Sequence, residues 1–245
     1  MNNITIISVY NNEKLFKHMK ESVSLCSGLE HLSIHIIGIN NVNNDFKSAS
    51  EAYNNAINKS DSTEMYIFCH QDIVFLRNSI IVFYYLCMSD TNTLFGSAGV
   101  KNAKNNIGER VISRMSMFQD GWRYKSLAQG AVEDVFTLDE CMIAANSCVF
   151  KSIQFDEINC DGWHLYAADL CMQCHILDIP VKVFDADFIH LSGGNADKAF
   201  YRCEKRLAKK YRKRFPIISY TFGWTYTDPI RYSLLHFYRK IRYRI

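Results

Sequence analysis

The chain begins with a short run of β-branched and apolar residues, Ile4-Thr-Ile-Ile-Ser-Val-Tyr10, that stops at Asn11-Asn12. Apolar positions then recur at helical spacing, Leu15, Met19 and Val23, with Lys14, Lys17 and Lys20 between them, so the pattern predicts a strand followed by a helix. The unit repeats. Leu32 to Ile39 reads as a second strand ending at Asn40-Asn41, and Phe46, Ala49, Tyr53 and Ile57 place one apolar stripe on a helix that begins near Asn44-Asp45. Met65 to Cys69 reads as a third, buried strand, Ser79 to Met88 as a third helix, and Thr93 to Val100 as a fourth strand whose small residues permit close backbone approach. Strands alternating with helices of this length predict a parallel sheet with right-handed crossovers. From Lys101 to Ala131 the periodicity gives way to Asn, Gly, Arg and Gln with isolated aromatics, a stretch too long for an ordinary connection and suited to an active-site flap. Val135 to Ala145 and Val181 to Phe184 read as further strands. Between them Trp163, Tyr166, Leu170, Cys174 and Leu177 form a helical stripe that ends before Pro180.

Composition narrows this picture. With 245 residues, 48% hydrophobic and 22% charged, the chain can bury a sizeable core, and the disordered, collagen-like and integral-membrane classes are disfavoured. The first residues lack a basic region, an apolar stretch and a small-residue cleavage site, so a cytoplasmic protein is expected. Nine cysteines, an odd set in apolar surroundings, fit reduced core thiols better than a disulfide framework. The most apolar stretch, Met65 to Met88, is interrupted by His70, Gln71, Asp72, Arg77 and Asn78, which argues against a spanning helix. Charge is divided unevenly: residues 198–245 carry 14 of the 28 Lys and Arg and two of the 25 acids, net +12, against −9 for residues 1–197.

In an open parallel sheet, ligands sit beyond the carboxyl ends of the strands. Those ends are polar here: Tyr10-Asn11-Asn12, Asn40-Asn41 and His70-Gln71-Asp72. In extended backbone, residues two apart face the same way, so His70 and Asp72 can address one cation or phosphate; Asp72 can equally cap the following helix or turn. Cys171-Met-Gln-Cys174-His175 matches the spacing of covalent haem attachment, but it lies inside the helical stripe with Cys174 on its apolar face, and core thiols are the better reading. Zinc lacks a second ligand pair. Neither a P-loop nor a G-x-G-x-x-G sequence occurs.

The run Ala52-Tyr-Asn-Asn-Ala-Ile57 followed by Met65-Tyr-Ile-Phe-Cys-His-Gln-Asp-Ile73 resembles the glycosyltransferase family 2-like group in which H-Q-D stands where most relatives carry D-x-D. A second block resembles it too: Phe155-Asp-Glu, then Gly162-Trp-His-Leu-Tyr-Ala-Ala-Asp-Leu-Cys171, Val181-Lys-Val-Phe, and Phe188-Ile-His190 before Ser192-Gly-Gly. The likeness runs over about residues 4–195 and rests on the joint order of short motifs. It implies an α/β GT-A fold, a mixed sheet flanked by helices. Residues 1–100 would form the nucleotide-sugar half of a 1–197 domain, residues 101–197 an acceptor half with a flap, and residues 198–245 a basic amphipathic helical extension.

The resemblance also implies roles. Asp72 and His190 would hold a divalent cation, Mg²⁺ or Mn²⁺, with an added imidazole favouring Mn²⁺; His190 alone could equally be a structural hydrogen-bonder. Tyr10, Asn40, Asn54, His70 and Gln71 would contact the donor; independently of the resemblance, the acidic pair Asp139-Glu140, at the end of a strand running into the acceptor half, could bind acceptor hydroxyls. The family's base is the first Asp of Y-D-x-D, but Tyr166-Ala167-Ala168-Asp169 carries Ala167 there. Asp169, Asp161 or His164 could serve instead, or transfer has been lost. The expected function is a metal-dependent, inverting transfer of a sugar from a nucleotide donor to a saccharide or lipid-linked acceptor in surface polysaccharide or lipopolysaccharide biosynthesis. The alternatives are a non-catalytic nucleotide-sugar or glycan binder and a basic-tailed nucleic-acid binder. Ile230, Leu234, Phe237 and Ile241 form an apolar stripe among Arg231, Arg239, Lys240, Arg242 and Arg244, which suits an anionic membrane surface on the inner face of the cell membrane, packing on the body, or a polyanion.

Overall fold

The computed structural model describes residues 2–60, 62–102, 111–113, 115–117, 127, 130–186, 188–193 and 196–243. The flap expected over residues 101–131 therefore lies largely outside the described residues.

Strands β1 (Asn2–Tyr10), β2 (Leu32–Asn40) and β3 (Met65–Cys69) pair in parallel, with β1 between the other two. Helices α1 (Glu13–Ser24) and α2 (Ala49–Asn58) make the crossovers. Asn12 caps α1, its side chain accepting from the backbone N–H of Lys14 and Leu15. Helix α2 starts later than the apolar spacing predicts. Ser48 caps it by accepting from Glu51 N, while the Asn41 side chain accepts from Phe46 N at 2.8 Å and closes residues 41–46 into a turn with Asn44 at φ 58. Phe46 thus belongs to a turn that competes with helix, as Asn side chains commonly dictate.

Beyond β3 the sheet is mixed. Strand β4 (Ile73–Phe75) and helix α3 (Ser79–Ser89) lead to β5 (Leu94–Gly96) and β6 (Ala98–Val100), so the single strand predicted from Thr93 to Val100 breaks at Ser97 and feeds two sheets. Short strands β7 (Val111–Ser113), β8 (Met115–Met117), β9 (Val132–Asp134) and β10 (Thr137–Leu138) follow. Strand β11 (Met142–Asn146) then inserts antiparallel between β3 and β5. Helix α4 (Tyr166–Ile176) precedes β12 (Val181–Phe184), which pairs parallel to β5 and antiparallel to β9. The seven-stranded order is β2-β1-β3-β11-β5-β12-β9, a mixed sheet as the resemblance implies; the parallel pairing predicted from strand–helix alternation does not extend to β11 and β9. An apolar run of β11's length carries no record of its direction, because side-chain alternation is the same both ways. Strand β13 (Phe188–His190) lies between β4 and β8 in a small second sheet.

The main sheet is covered on both faces. Along β3, Tyr66 and Phe68 join the core beneath α2 and α4, while Met65, Ile67 and Cys69 join the opposite core beneath α1 and α3. All nine cysteines are free thiols and seven are buried, including Cys171 and Cys174. Composition changes at residue 198, yet packing runs through it. Helix α5 (Lys198–Tyr211) buries Phe200, Cys203, Leu207 and Tyr211 in the core beneath α4. A hairpin, β14 (Ile217–Tyr220) and β15 (Gly223–Tyr226), and helix α6 (Pro229–Tyr243) complete the chain. Among the described residues, no helix is long and apolar enough to cross a membrane.

Gly99 shows how tightly β6 approaches β10. A Cβ there would meet the Thr137 carbonyl oxygen and Val183 Cγ1 at 2.8 Å each. Because one of these is backbone, Gly99→Ala is expected to destabilise the fold by about 1–3 kcal/mol, measured by urea unfolding.

Candidate functional site

A cavity of about 290 Å³ opens at the carboxyl ends of β1, β2 and β3. Val9, Tyr10 and Asn11 line it from β1, Asn41 and Asn44 from the loop after β2, and His70, Gln71 and Asp72 from the end of β3. Ala49 and Tyr53 of α2, Trp163, Tyr166 and Ser192 close the remaining sides. This is where a parallel sheet leaves strand-end polar groups without a next strand to satisfy them.

The chemistry concentrates on one wall. His70, Asp72 and His190 offer ligand atoms that all lie within 4.8 Å of one another. Two pairings fix them. His70 N donates to the Cys141 carbonyl at 3.0 Å, which holds the end of β3 against β11, and Leu191 N donates to the Asp72 carbonyl at 3.0 Å beside the β4–β13 register. His190 Nε2 then stands 3.4 Å from Asp72 Oδ1 and 3.4 Å from His70 Nδ1, and Ser192 Oγ donates to Asp72 Oδ2. His70 Nε2 is 3.2 Å from the Tyr166 hydroxyl.

Protonation follows from this packing. Burial pushes against the Asp72 carboxylate, but the hydrogen bonds and charge of His190, with Ser192, outweigh it and bring its pKa to about 2. Burial likewise opposes a charged His190, and Asp72 overcomes it to raise the imidazole. For His70, burial together with His190 outweighs the pull of Asp72 and Asp139 and lowers it to about 4, leaving a neutral imidazole at physiological pH. Two imidazoles and a carboxylate, converging and nearly buried, are a donor set that fits a divalent cation.

Gln71 points the other way along the chain. Its Oε1 accepts from Asn11 N and Asn12 N at 3.0 and 2.9 Å, and its Nε2 donates to Asn11 Oδ1, so it ties the ends of β1 and β3 together at the rim. The Tyr10 ring stacks on Phe16 at 4.3 Å.

Other expected site residues fall elsewhere. Asn40 is not among the lining residues; its Oδ1 accepts from Val42 N, and Asn41, one step along, faces the cavity instead. Asn54 holds the 155–157 loop through the Phe155 carbonyl and Glu157 Oε1, outside the cavity. Asp169 is fully buried beneath α5, where Lys210 Nζ reaches Oδ1 at 2.6 Å, the Tyr211 hydroxyl donates at 2.8 Å and Gln173 Nε2 donates to Oδ2 at 2.7 Å. Burial raises its carboxyl despite these partners. Asp161 turns to Arg206 at 2.6 Å and Arg202 at 3.6 Å. His164 lies beside the cavity-lining Trp163, with Nε2 3.3 Å from Asp197 Oδ1, and burial lowers its pKa against the pull of that carboxylate.

Asp139 and Glu140 follow β10 behind the histidines. Hydrogen bonds from Thr221 and Cys141 N, with the charge of His190, keep Asp139 ionised against burial. Burial and the Asp139 charge raise Glu140 well above the ordinary range, while Leu165 N and Tyr166 N donate to its carboxylate at the start of α4. Helix α4 has no local cap; Leu165 sits there at φ 60, a left-handed bend that turns the chain between Trp163 and Tyr166. Trp163 was expected on the α4 stripe, yet it precedes the helix and is half-exposed on the cavity wall. Trp163, Tyr53 and Tyr166 lie in the motifs of the resemblance but receive no role from it, and their helical-stripe signal is one that an aromatic cavity wall shares.

A protein-family model described as "Glycosyltransferase like family" matches residues 5–213. The chain belongs to this glycosyltransferase-like family. Among solved structures it is similar to GalNAc-T7 with UDP, GalNAc and Mn²⁺, at TM-score 0.60 and 8% identity, covering 84% of this chain and 48% of that one. It is also similar to S. aureus TarS 1-349 in complex with UDP-GlcNAc, at TM-score 0.52 and 12% identity, covering 85% of this chain and 66% of that one. The fold is GT-A. A curated protein of Fuscovulum blasticum, "ATP synthase subunits region ORF 6", is 33% identical over 82 residues, 34% of this chain and 32% of that protein. The chain thus spans about half the length of GalNAc-T7 in that structure, and the match to the curated protein covers about a third of it.

Lys210 also bonds Asp156 at 2.7 Å, so with its side chain 28% exposed it bridges two carboxylates. Lys210→Met is expected to cost about 2 kcal/mol in urea unfolding, below the range for a fully buried pair. Metal binding at the His70 cluster should be unchanged, which separates Asp169's role in packing from any role in the cavity.

Proposed function

We propose that this chain transfers a sugar from a nucleoside-diphosphate donor to a hydroxyl of a saccharide acceptor. The donor diphosphate would lie at the carboxyl ends of β1 to β3, beside a divalent cation held by His70, Asp72 and His190. The convergence of those three side chains on a cavity at the strand ends carries the reading. GalNAc-T7 solved with UDP, GalNAc and Mn²⁺, and TarS solved with UDP-GlcNAc, support it through the shared fold. Two imidazoles in the donor set favour Mn²⁺ over Mg²⁺, because nitrogen ligands suit the softer ion. Bound there, the cation would supply charge stabilisation to a departing diphosphate.

The chain's own residues take the other parts. Tyr10 offers an aromatic wall for the base, and Asn11 and Asn41 offer amides for ribose or phosphate oxygens. An inverting transfer needs a group to accept the acceptor's proton. Ala167 supplies none. His164 is the better candidate than Asp161 or Asp169, since burial keeps it neutral, Asp197 orients its ring, and both aspartates are engaged by cations. Asp139 and Glu140, packed behind the histidines and held by Thr221 and backbone N–H groups, would support the cavity wall rather than meet acceptor hydroxyls. The buried Ala167 favours one second reading, a relative that binds the donor and does not transfer it.

UDP, GDP and CMP, each with and without Mn²⁺, should be compared by thermal unfolding. One nucleotide with Mn²⁺ is expected to raise Tm by about 5–10 °C at a hundredfold excess over Kd. Asp72→Ala should remove the Mn²⁺-dependent part of that shift; no shift with any nucleotide would defeat the donor-site reading.

Under donor-saturating conditions, His164→Ala is expected to lower the transfer rate by about 10²–10⁴ with donor Kd unchanged. Asp161→Asn should stay close to the unsubstituted rate. Donor binding without transfer or donor hydrolysis in the unsubstituted protein would favour the binding-only reading.

A further inference from the structure

Helix α6 meets the body with its polar side. Tyr232 is buried, His236 is half-buried, and Arg239 reaches inward, Nη1 bonding Glu204 Oε1 at 2.8 Å and Nη2 donating to the Trp224 carbonyl. The opposite side is apolar and open to solvent: Ile230, Leu234, Phe237 and Ile241 are 71%, 65%, 64% and 67% exposed. Their spacing of four, three and four residues puts all four on one narrow stripe, directed away from Tyr232, His236 and Arg239. A helix that served only to cover the core would be turned the other way. The packing of Arg239 on the buried Glu204 holds it in this orientation.

The rim of the stripe is basic. Arg231 and Lys240 are exposed on its two borders, and no Asp or Glu occurs in the chain after Asp228. We infer that this face of α6 docks on an anionic lipid surface, with the four apolar side chains entering the acyl boundary and Arg231 and Lys240 meeting the headgroups. A helix with an apolar stripe and cationic borders, lying in the plane of the interface, is what such a surface selects. A second copy of the chain is the poorer occupant. Two of these faces brought together would oppose the Arg231 and Lys240 of both, with no carboxylate on either helix to pair with them. A partner protein would need an apolar groove rimmed by acids. The inference stands independently of the transferase reading, because it uses no residue of the cavity.

The test is flotation of the full chain with phosphatidylcholine vesicles, with and without about one third phosphatidylglycerol, at low salt and at about 0.5 M salt. Binding is expected to the anionic vesicles and to weaken with salt. The double variant Leu234→Ser/Phe237→Ser should lower partitioning by about tenfold or more while keeping the melting temperature, since both side chains are exposed and leave no cavity. Arg231→Gln/Lys240→Gln should reduce the dependence on lipid charge. Failure to bind anionic vesicles at low salt overturns the inference, as does full binding by the serine variant. A dimer in sedimentation that dissociates with the same serine substitutions would assign the face to a second copy and overturn it as well.

Discussion

The contact on which the site depends is that between Asp72 and His190. Both are nearly buried, and a carboxylate or an imidazolium in that position without its partner would carry a large desolvation cost. The pair is assembled from segments far apart in sequence by backbone hydrogen bonds: β13 lies antiparallel to β4, and Leu191 N closes on the Asp72 carbonyl. The same constraint reaches into the main sheet, because His70 is pinned to Cys141 at the end of β11. An antiparallel strand inserted beside β3 therefore has a chemical consequence. It fixes the turn that carries two of the three converging side chains.

A second set of ionic contacts joins the basic carboxy-terminal region to the acidic body. Lys210 bridges Asp156 and Asp169, Arg206 and Arg202 meet Asp161, and Arg239 meets Glu204 within the tail itself. Part of the division between a −9 body and a +12 tail is thus internal complementarity across the α4–α5 contact. Helix α5 owes its place to Phe200, Cys203, Leu207 and Tyr211 in the core, with the ion pairs setting its register. Among the described residues, α6 is the helix that combines cationic borders with an apolar face that the body leaves uncovered.

Much of the element order was legible in the chain. β1, β2 and β12 appear where β-branched runs end at polar residues, β3 and α3 as continuous apolar runs, and α1 and α4 where apolar positions recur every three to four. The start of α2 was misplaced because Asn41 forms a turn that helical spacing does not reveal. At the site, Tyr10, His70, Gln71 and Asp72 were legible as strand-end residues, and His190 through the resemblance. Asn40 was legible as a polar strand end and took its donor role from the resemblance, and Asn54 from the resemblance alone; a one-residue step along an extended chain reverses the facing side, and Asn54 is taken up by the 155–157 loop.

The sequence by itself marked the main strands β1, β2, β3 and β12 and the helices α1, α3 and α4, since those patterns arise from local backbone geometry, and it marked the strand ends as polar. It also showed that Ala167 removes the carboxylate that its resemblance leads one to expect. Tertiary structure alone decided strand direction at β11 and β9, the burial of Asp169 under Lys210, and the meeting of His190 with Asp72. It also decided which side of α6 faces solvent. The physical reason is common to all four. Each depends on which surface is opposed to which across a long loop, and hydrophobic period and residue type within one segment carry no information about the partner that segment will meet.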